Sequence, residues 1–298
     1  MIRFDELLCG GAFRLFEGER LDVGQPEPTP RVAANLPKLK VGVGAGAEAT
    51  LVLLYDRLLT ASVEVELGEG ARLELCALFT AEAFVELAVR QKGRSKCRMT
   101  TLQLTGSNLV CRVGLEEPGA SNRLHGAFLA GAGEHCVADI RLDHAAADCS
   151  SESYVKGVAS GDGVGEFRGL VYVAPDAQRT DARQTSRNVV LGDAARVTTR
   201  PQLEIYADDV KCSHGATVGQ MDDEALLYMR QRGLSEAQAR ALQMEGFVAD
   251  VVRRCGVEHI DISDDCTVCS CDRFWSHRAT GGERGSQGAV IVCQEVTG

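Results

Sequence analysis

The chain has 298 residues, 45% hydrophobic and 25% charged, enough for one large globular domain or two ordinary ones with a substantial core. Its formal net charge of −10 comes without a basic stripe, so nucleic acid is not an expected partner. The opening MIRFDELLCGGAF has neither a positive start nor a continuous apolar run, and no apolar stretch approaches ~20 residues, so neither a signal peptide nor a membrane span is expected, and the expected location is the cytoplasm.

Residues 1–23 are mixed, and 24–37 hold Pro26, Pro28, Pro30 and Pro37, which reads as an extended linker; 1–38 is taken as the N-terminal segment. From about residue 40 the period becomes two. Ala61, Val63, Val65 and Leu67 alternate with Ser62, Glu64 and Glu66, and Gly68 and Gly70 break the run. Leu73, Leu75 and Ala77 repeat the pattern, as do Val85, Leu87 and Val89, then Leu109, Cys111, Val113 and Leu115, then Cys136, Ala138, Ile140 and Leu142. Shorter runs follow at 165–173, 188–191 and 202–206. Such alternation puts one face of each strand in a core and the other in water.

Successive runs often start ~10–15 residues apart, a spacing that suits a sandwich, a barrel or a solenoid. No helical period interrupts 40–210, which argues against a βαβ sheet, and Asp162-Gly163 alone resembles a hairpin dipeptide. A coiling parallel β-helix therefore fits better than a meander, and 39–218 is assigned to an all-β core of that kind.

After His214 the period changes again. Asp222, Asp223 and Glu224 open a helix carrying Leu226, Leu227 and Met229, and Gly233 stops it. Ser235 is placed as the N-cap of a second helix, with Ala239, Leu242, Met244, Phe247, Val248 and Val251 as its apolar positions. Residues 219–254 form this short helical segment, and 255–298 are expected to be an irregular, Cys-rich tail.

The stretch QTSRNVVLGDAARVTTRPQLEIYADDVKCSHGATV, residues 184–218, resembles the C-terminal core of the SufB/SufD family, in its SufD branch. DDEALLYMRQRGLSEAQARALQMEGFVADVV continues the likeness, which extends more weakly back to about residue 40. The resemblance implies a right-handed parallel β-helix followed by a short helical domain. It also implies a scaffold subunit of the SufBCD iron–sulfur cluster assembly complex, not a catalyst. Such a subunit pairs with a SufB-like protein, or with a second copy when alone, and docks the SufC-like ATPase through its C-terminal helices. The chain has no Walker A pattern, so nucleotide is assigned to that partner and none to this chain.

By the same resemblance, the histidine of KCSHGAT, His214, lies at the subunit interface and meets iron or a transient iron–sulfur cluster there. A neutral imidazole suits such a metal, and Asp208 or Asp209 could fix its tautomer. Alternatively, His214 caps the last coil by hydrogen bonding. Cys212, two residues earlier, shares its strand face and is either a second ligand or a small buried residue. Leu226, Leu227, Met229, Leu242 and Phe247 are assigned to SufC docking, with packing on the end of the solenoid as the competing role.

Twelve cysteines in a reducing compartment argue against disulfides, and Cys111 and Cys136 fall on apolar strand positions. The tail differs. GVEHIDIS, the pair Cys266 and Cys269 around Thr267, and DRFWSHR resemble the C-terminal end of the YfiH-like polyphenol oxidase family, also described as purine nucleoside phosphorylases. That family's metal-binding histidines and cysteine lie in earlier segments that have no counterpart here, so its activity stands as the alternative function only. Taken alone, Cys266, Cys269 and Cys271 are half of a zinc or iron–sulfur site, which Cys255, Cys293, His259 or His277 could complete; otherwise the tail is structural. A generic β-solenoid binding protein is a third reading.

Overall fold

A computed structural model describes residues 13–254. These residues wind through seventeen strands, β1 to β17, that alternate between two sheets. The odd strands form a nine-stranded sheet in the order β1-β3-β5-β7-β9-β11-β13-β15-β17, and the even ones an eight-stranded sheet from β2 to β16. Every pairing is parallel. Each coil thus pairs with the coil before and after it, the solenoid arrangement expected from the spacing.

The first strands are β1 (Arg14–Phe16), β2 (Arg20–Val23) and β3 (Arg31–Ala34). They pair into the same two sheets, so the proline-rich stretch read above as a linker is part of the solenoid. Pro26, Pro28, Pro30 and Pro37 sit between strands, where the missing N–H removes no ladder bond. The Pro30 and Pro37 carbonyls still accept from Arg14 and Ser62, at 2.9 Å each.

The coils lengthen along the chain. Glu48, Arg72 and Lys96 start successive strands β5 (Glu48–Tyr55), β7 (Arg72–Phe79) and β9 (Lys96–Gln103), 24 residues apart. From β11 (Ser121–Ala130) to β13 (Ser150–Ser160) the step is 29 residues, and from β13 to β15 (Thr180–Leu191) it reaches 31. One corner repeats at every step. Gly46, Gly70, Arg94, Gly119, Asp148 and Arg179 all have positive φ. Each donates its backbone N–H to the corner carbonyl of the next coil. Glycine enters this left-handed turn without strain, whereas at Asp148 and Arg179 a two-pronged ion pair at 2.5 and 2.6 Å ties adjacent corners.

The even sheet continues β4 (Lys38–Val43), β6 (Leu59–Leu67), β8 (Ala83–Gln91), β10 (Ser107–Leu115), β12 (His135–His144), β14 (Val164–Val173) and β16 (Arg196–Ile205). Between the sheets lies one continuous aliphatic core, with Val63, Leu73, Val85, Leu87, Cys111, Phe128 and Phe167 fully buried. Pro201 lies inside β16, which its edge position permits.

Strand β17 (Val210–Gly219) leads into α1 (Asp223–Gln231), where Asp222 caps the helix by accepting from the Glu224 and Ala225 amides. In α2 (Glu236–Arg254) the Ser235 hydroxyl accepts from the Gln238 N–H while Gln238 accepts from the Ser235 N–H, a capping box. Helix α2 lies on the outer face of the odd sheet. There Val251 packs with Leu54, Leu78, Leu102, Ala127 and Tyr154, the outward residues of five successive coils. No helix among the described residues is long and apolar enough to cross a membrane.

Candidate functional site

Strand β17 is the C-terminal edge of the odd sheet, and β16 that of the even sheet. Val210, Cys212, His214, Ala216 and Val218 face the same side of β17 as their buried register partners Thr180, Ala182, Gln184, Ser186 and Asn188 on β15. Val210 and Cys212 are half-buried against the core, while His214 to Val218 are exposed. The imidazole therefore stands in a core-facing position that, among the described residues, no further coil covers.

The interior changes character on the way to it. One row across the odd sheet reads Leu51, Leu75, Met99, Leu124, Ser153, Gln184, His214. Four apolar rungs give way to three polar ones. Ser153 and Gln184 are 1% and 2% exposed, and the Ser153 hydroxyl and the Gln184 Nε2 lack hydrogen-bond partners. The Gln184 carboxamide fills space that Gly169 leaves on the opposite sheet, where an added Cβ would stand 2.1 Å from Oε1. The adjoining row holds Cys97, Asn122, Ser151, Ala182 and Cys212. Its Ser151 hydroxyl lies 2.8 Å from the buried His144 Nε2.

Cys212 and His214 lie on one face, roughly 7 Å apart along the strand. Burial pushes the Cys212 thiol up, opposed by its hydrogen bond with the Ala182 backbone. A soft metal would have to displace that proton before binding the sulfur. Asp209 belongs to the stacked corner, its N–H donating to Gln178 and its carbonyl accepting from Arg179. It precedes His214 by five residues, roughly 16 Å on an extended strand, so it is too distant to orient the imidazole. Among the described residues no three of His, Cys, Asp and Glu converge on one point. Cys212 and His214 thus share one face of an edge strand, with no third such side chain converging on them among the described residues.

The helical residues divide. Leu226 is buried and Met229 half-buried, whereas Leu227 and Leu242 are 56% and 49% exposed. Phe247 is engaged with the solenoid: the Lys156 ammonium donates to its carbonyl at 2.8 Å and lies 4.2 Å from its ring centre. Cys266, Cys269 and Cys271 lie outside the described residues. Sequence reading did not single out Ser153 and Gln184. The signal was there, as polar residues at positions where each earlier coil places leucine or methionine, but it becomes visible only once the coil lengths are known.

The family model for the SUF system FeS cluster assembly SufBD core domain matches residues 28–247. The chain belongs to the SufBD core family. The match runs from just before β3 through β17 to Phe247 in α2. Among curated proteins, this SufBD core chain is 39% identical over 152 residues to the iron–sulfur cluster assembly protein SufD of Escherichia coli (strain K12), covering 51% of this chain and 33% of that protein. It is 34% identical over 173 residues to an iron–sulfur cluster assembly SufBD family protein of Mycobacterium leprae, covering 55% and 44%. It is 45% identical over 86 residues to a SufBD family protein of Synechocystis, covering 29% and 19%. The SufBD core chain therefore spans less than half the length of these relatives. A second model, multi-copper polyphenol oxidoreductase laccase, matches residues 208–294, overlapping the first from β17 into α2.

Proposed function

We propose that this chain acts as a SufD-like scaffold subunit in iron–sulfur cluster assembly. It pairs with a SufB-like subunit through the open end of the solenoid and docks a SufC-like ATPase through the helical segment 219–254. The observation that carries this reading is the placement of His214, exposed on the core-facing side of edge strand β17. An edge strand offers unpaired backbone groups to another chain. With Cys212 beside it, His214 supplies two of the donors that iron or a cluster needs, and the partner supplies the rest. The cluster is cargo, held transiently at the interface. Leu227 and Leu242, exposed on the two helices, are the residues free to meet the ATPase. The assembly works in the cytoplasm, where iron and thiols stay reduced, and the β-helix of 39–218 and the helices of 219–254 act as separate functional pieces.

The test is co-purification with SufB and SufC followed by anaerobic reconstitution. His214→Ala should leave the complex assembled and abolish cluster build-up; full cluster yield from that variant ends the assignment. Deleting 222–253 should abolish SufC capture, and undiminished capture rules out docking there. The second reading, a nucleoside phosphorylase or phenol oxidase, rests on the match at 208–294. A nucleoside phosphorolysis assay decides it, and turnover by the purified chain would replace the scaffold reading.

A further inference from the structure

The outer face of the odd sheet carries a cavity of about 400 Å³ that crosses β9, β11, β13 and β15. It contains four cations, Lys96, Arg98, Arg123 and Arg183, against the two acids Glu152 and Asp181, on a chain whose overall charge is −10. Its geometry holds a conflict. Arg98 and Arg123 are direct register partners on adjacent strands, a juxtaposition of like charges that destabilises a sheet. Each is drawn to an acid on its far side: Arg98 to Glu74 at 3.0 Å, Arg123 to Glu152 at 3.3 Å. No acid separates them. Lys96 stands one step along the same strand face and makes no ion pair among the described residues. Its register partner on β7 is Arg72, itself held to Glu48 at 3.1 Å, and on β11 it is Ser121, whose hydroxyl accepts from the Ser150 hydroxyl at 3.0 Å and so keeps its proton free to donate outward.

We propose that this cavity binds a phosphate-type oxyanion between Arg98 and Arg123, with Lys96 and the Ser121 hydroxyl completing the donor set. A tetrahedral dianion accepts from two guanidinium forks, an ammonium and a hydroxyl at once, and its charge cancels the repulsion between the arginines. Arg183, held to Asp181 at 3.2 Å, closes the far side and contributes field without direct contact. The shared chemistry is the phosphate group, either free or carried on a larger molecule.

The experiment is a titration of the full-length chain at low salt, followed calorimetrically, with inorganic phosphate and glycerol 3-phosphate as probes. Saturable phosphate binding is expected. Lys96→Ala and Arg98→Ala should each weaken it about tenfold, the worth of one charge-assisted hydrogen bond, and Glu152→Gln should strengthen it. Tighter binding of glycerol 3-phosphate assigns the site to a phosphate on a larger molecule; tighter binding of inorganic phosphate assigns it to the free ion. Absence of saturation with both probes, or equal affinity in the wild type and both alanine variants, overturns the proposal. Lys96 has no ion pair to lose, so a thermal melt unchanged in Lys96→Ala keeps its result independent of folding.

Discussion

Gln184 and His214 are register partners on β15 and β17, one sealed inside the solenoid and the other open at its end. The difference comes from position alone, because both face the same side of the same sheet. Its energetic consequence falls on Gln184, whose Nε2 is buried without a partner. An unmatched buried donor costs about 1–3 kcal/mol. Gln184→Leu restores the apolar character that Leu75, Met99 and Leu124 give this row in earlier coils, and it should raise the unfolding free energy by about 1 kcal/mol in urea titration. A loss of stability would mean that the carboxamide packs against Gly169 better than a branched aliphatic can.

Much of the solenoid was legible in the sequence, and the gaps have a physical cause. β6, β8, β10 and β12 have one fully buried face and one that is mostly partly or fully exposed, so their alternation survives in the letters. β5, β9, β11, β13 and β17 were not singled out as strands, and for β11 and β13 the cause is burial on both faces. Residues 124–128 and 153–159 are buried without a break, because the core takes one face and α2 or neighbouring outward residues cover the other. Their inward positions include Asn122, Gly126, Ser151, Ser153 and Gly157, which carry no apolar period. The parity that puts His214 and Cys212 on one face was readable from their spacing. The contact of Phe247 with Lys156 was not, since it joins residues 91 apart.

His144 gives the fold a pH dependence whose sign is fixed. Burial lowers its pKa from 6.5 to about 4, so the folded chain keeps the ring neutral where the unfolded chain protonates it. Its contribution is fully present above pH 6.5 and is lost as pH falls from 6.5 towards 4, on the order of 3 kcal/mol in all. Glu27 and Glu166, held below the usual carboxylate range chiefly by hydrogen bonds from Arg31 and Arg168, act in the same direction at lower pH. Urea midpoints measured between pH 7 and pH 4.5 should fall in the wild type, and His144→Gln should flatten most of that slope. An equally steep slope in the variant would place the titrating group elsewhere.

Two glycines should respond oppositely to alanine. At Gly163 a Cβ would stand 2.4 Å from the carbonyl oxygens of both Ala130 and Gly131, so the backbone of the preceding coil would have to move. Gly163→Ala should cost about 1–3 kcal/mol, read as a lowered melting temperature. At Gly24 the same atom meets nothing within 4 Å. Gly24→Ala should leave the melt unchanged or raise it slightly, since it restricts the unfolded chain.

Lys156 controls how firmly α2 is held. The residue is 5% exposed, its ammonium donates to the Phe247 carbonyl at 2.8 Å, and it lies 4.2 Å from the centre of the Phe247 ring. Tyr154 brings a second ring within 5.8 Å of the same nitrogen. Lys156→Met keeps the unbranched stem and removes the charge, so it separates these polar contacts from packing. A charged hydrogen bond together with a desolvated cation–π contact is worth about 2 kcal/mol or more, which speeds local opening by more than tenfold. Hydrogen exchange should therefore accelerate at the amides of 236–254 while those of β5 to β13 keep their protection. Unchanged exchange across the helix would show that the apolar seat of Val251 on Leu54, Leu78 and Leu102 holds α2 without the lysine.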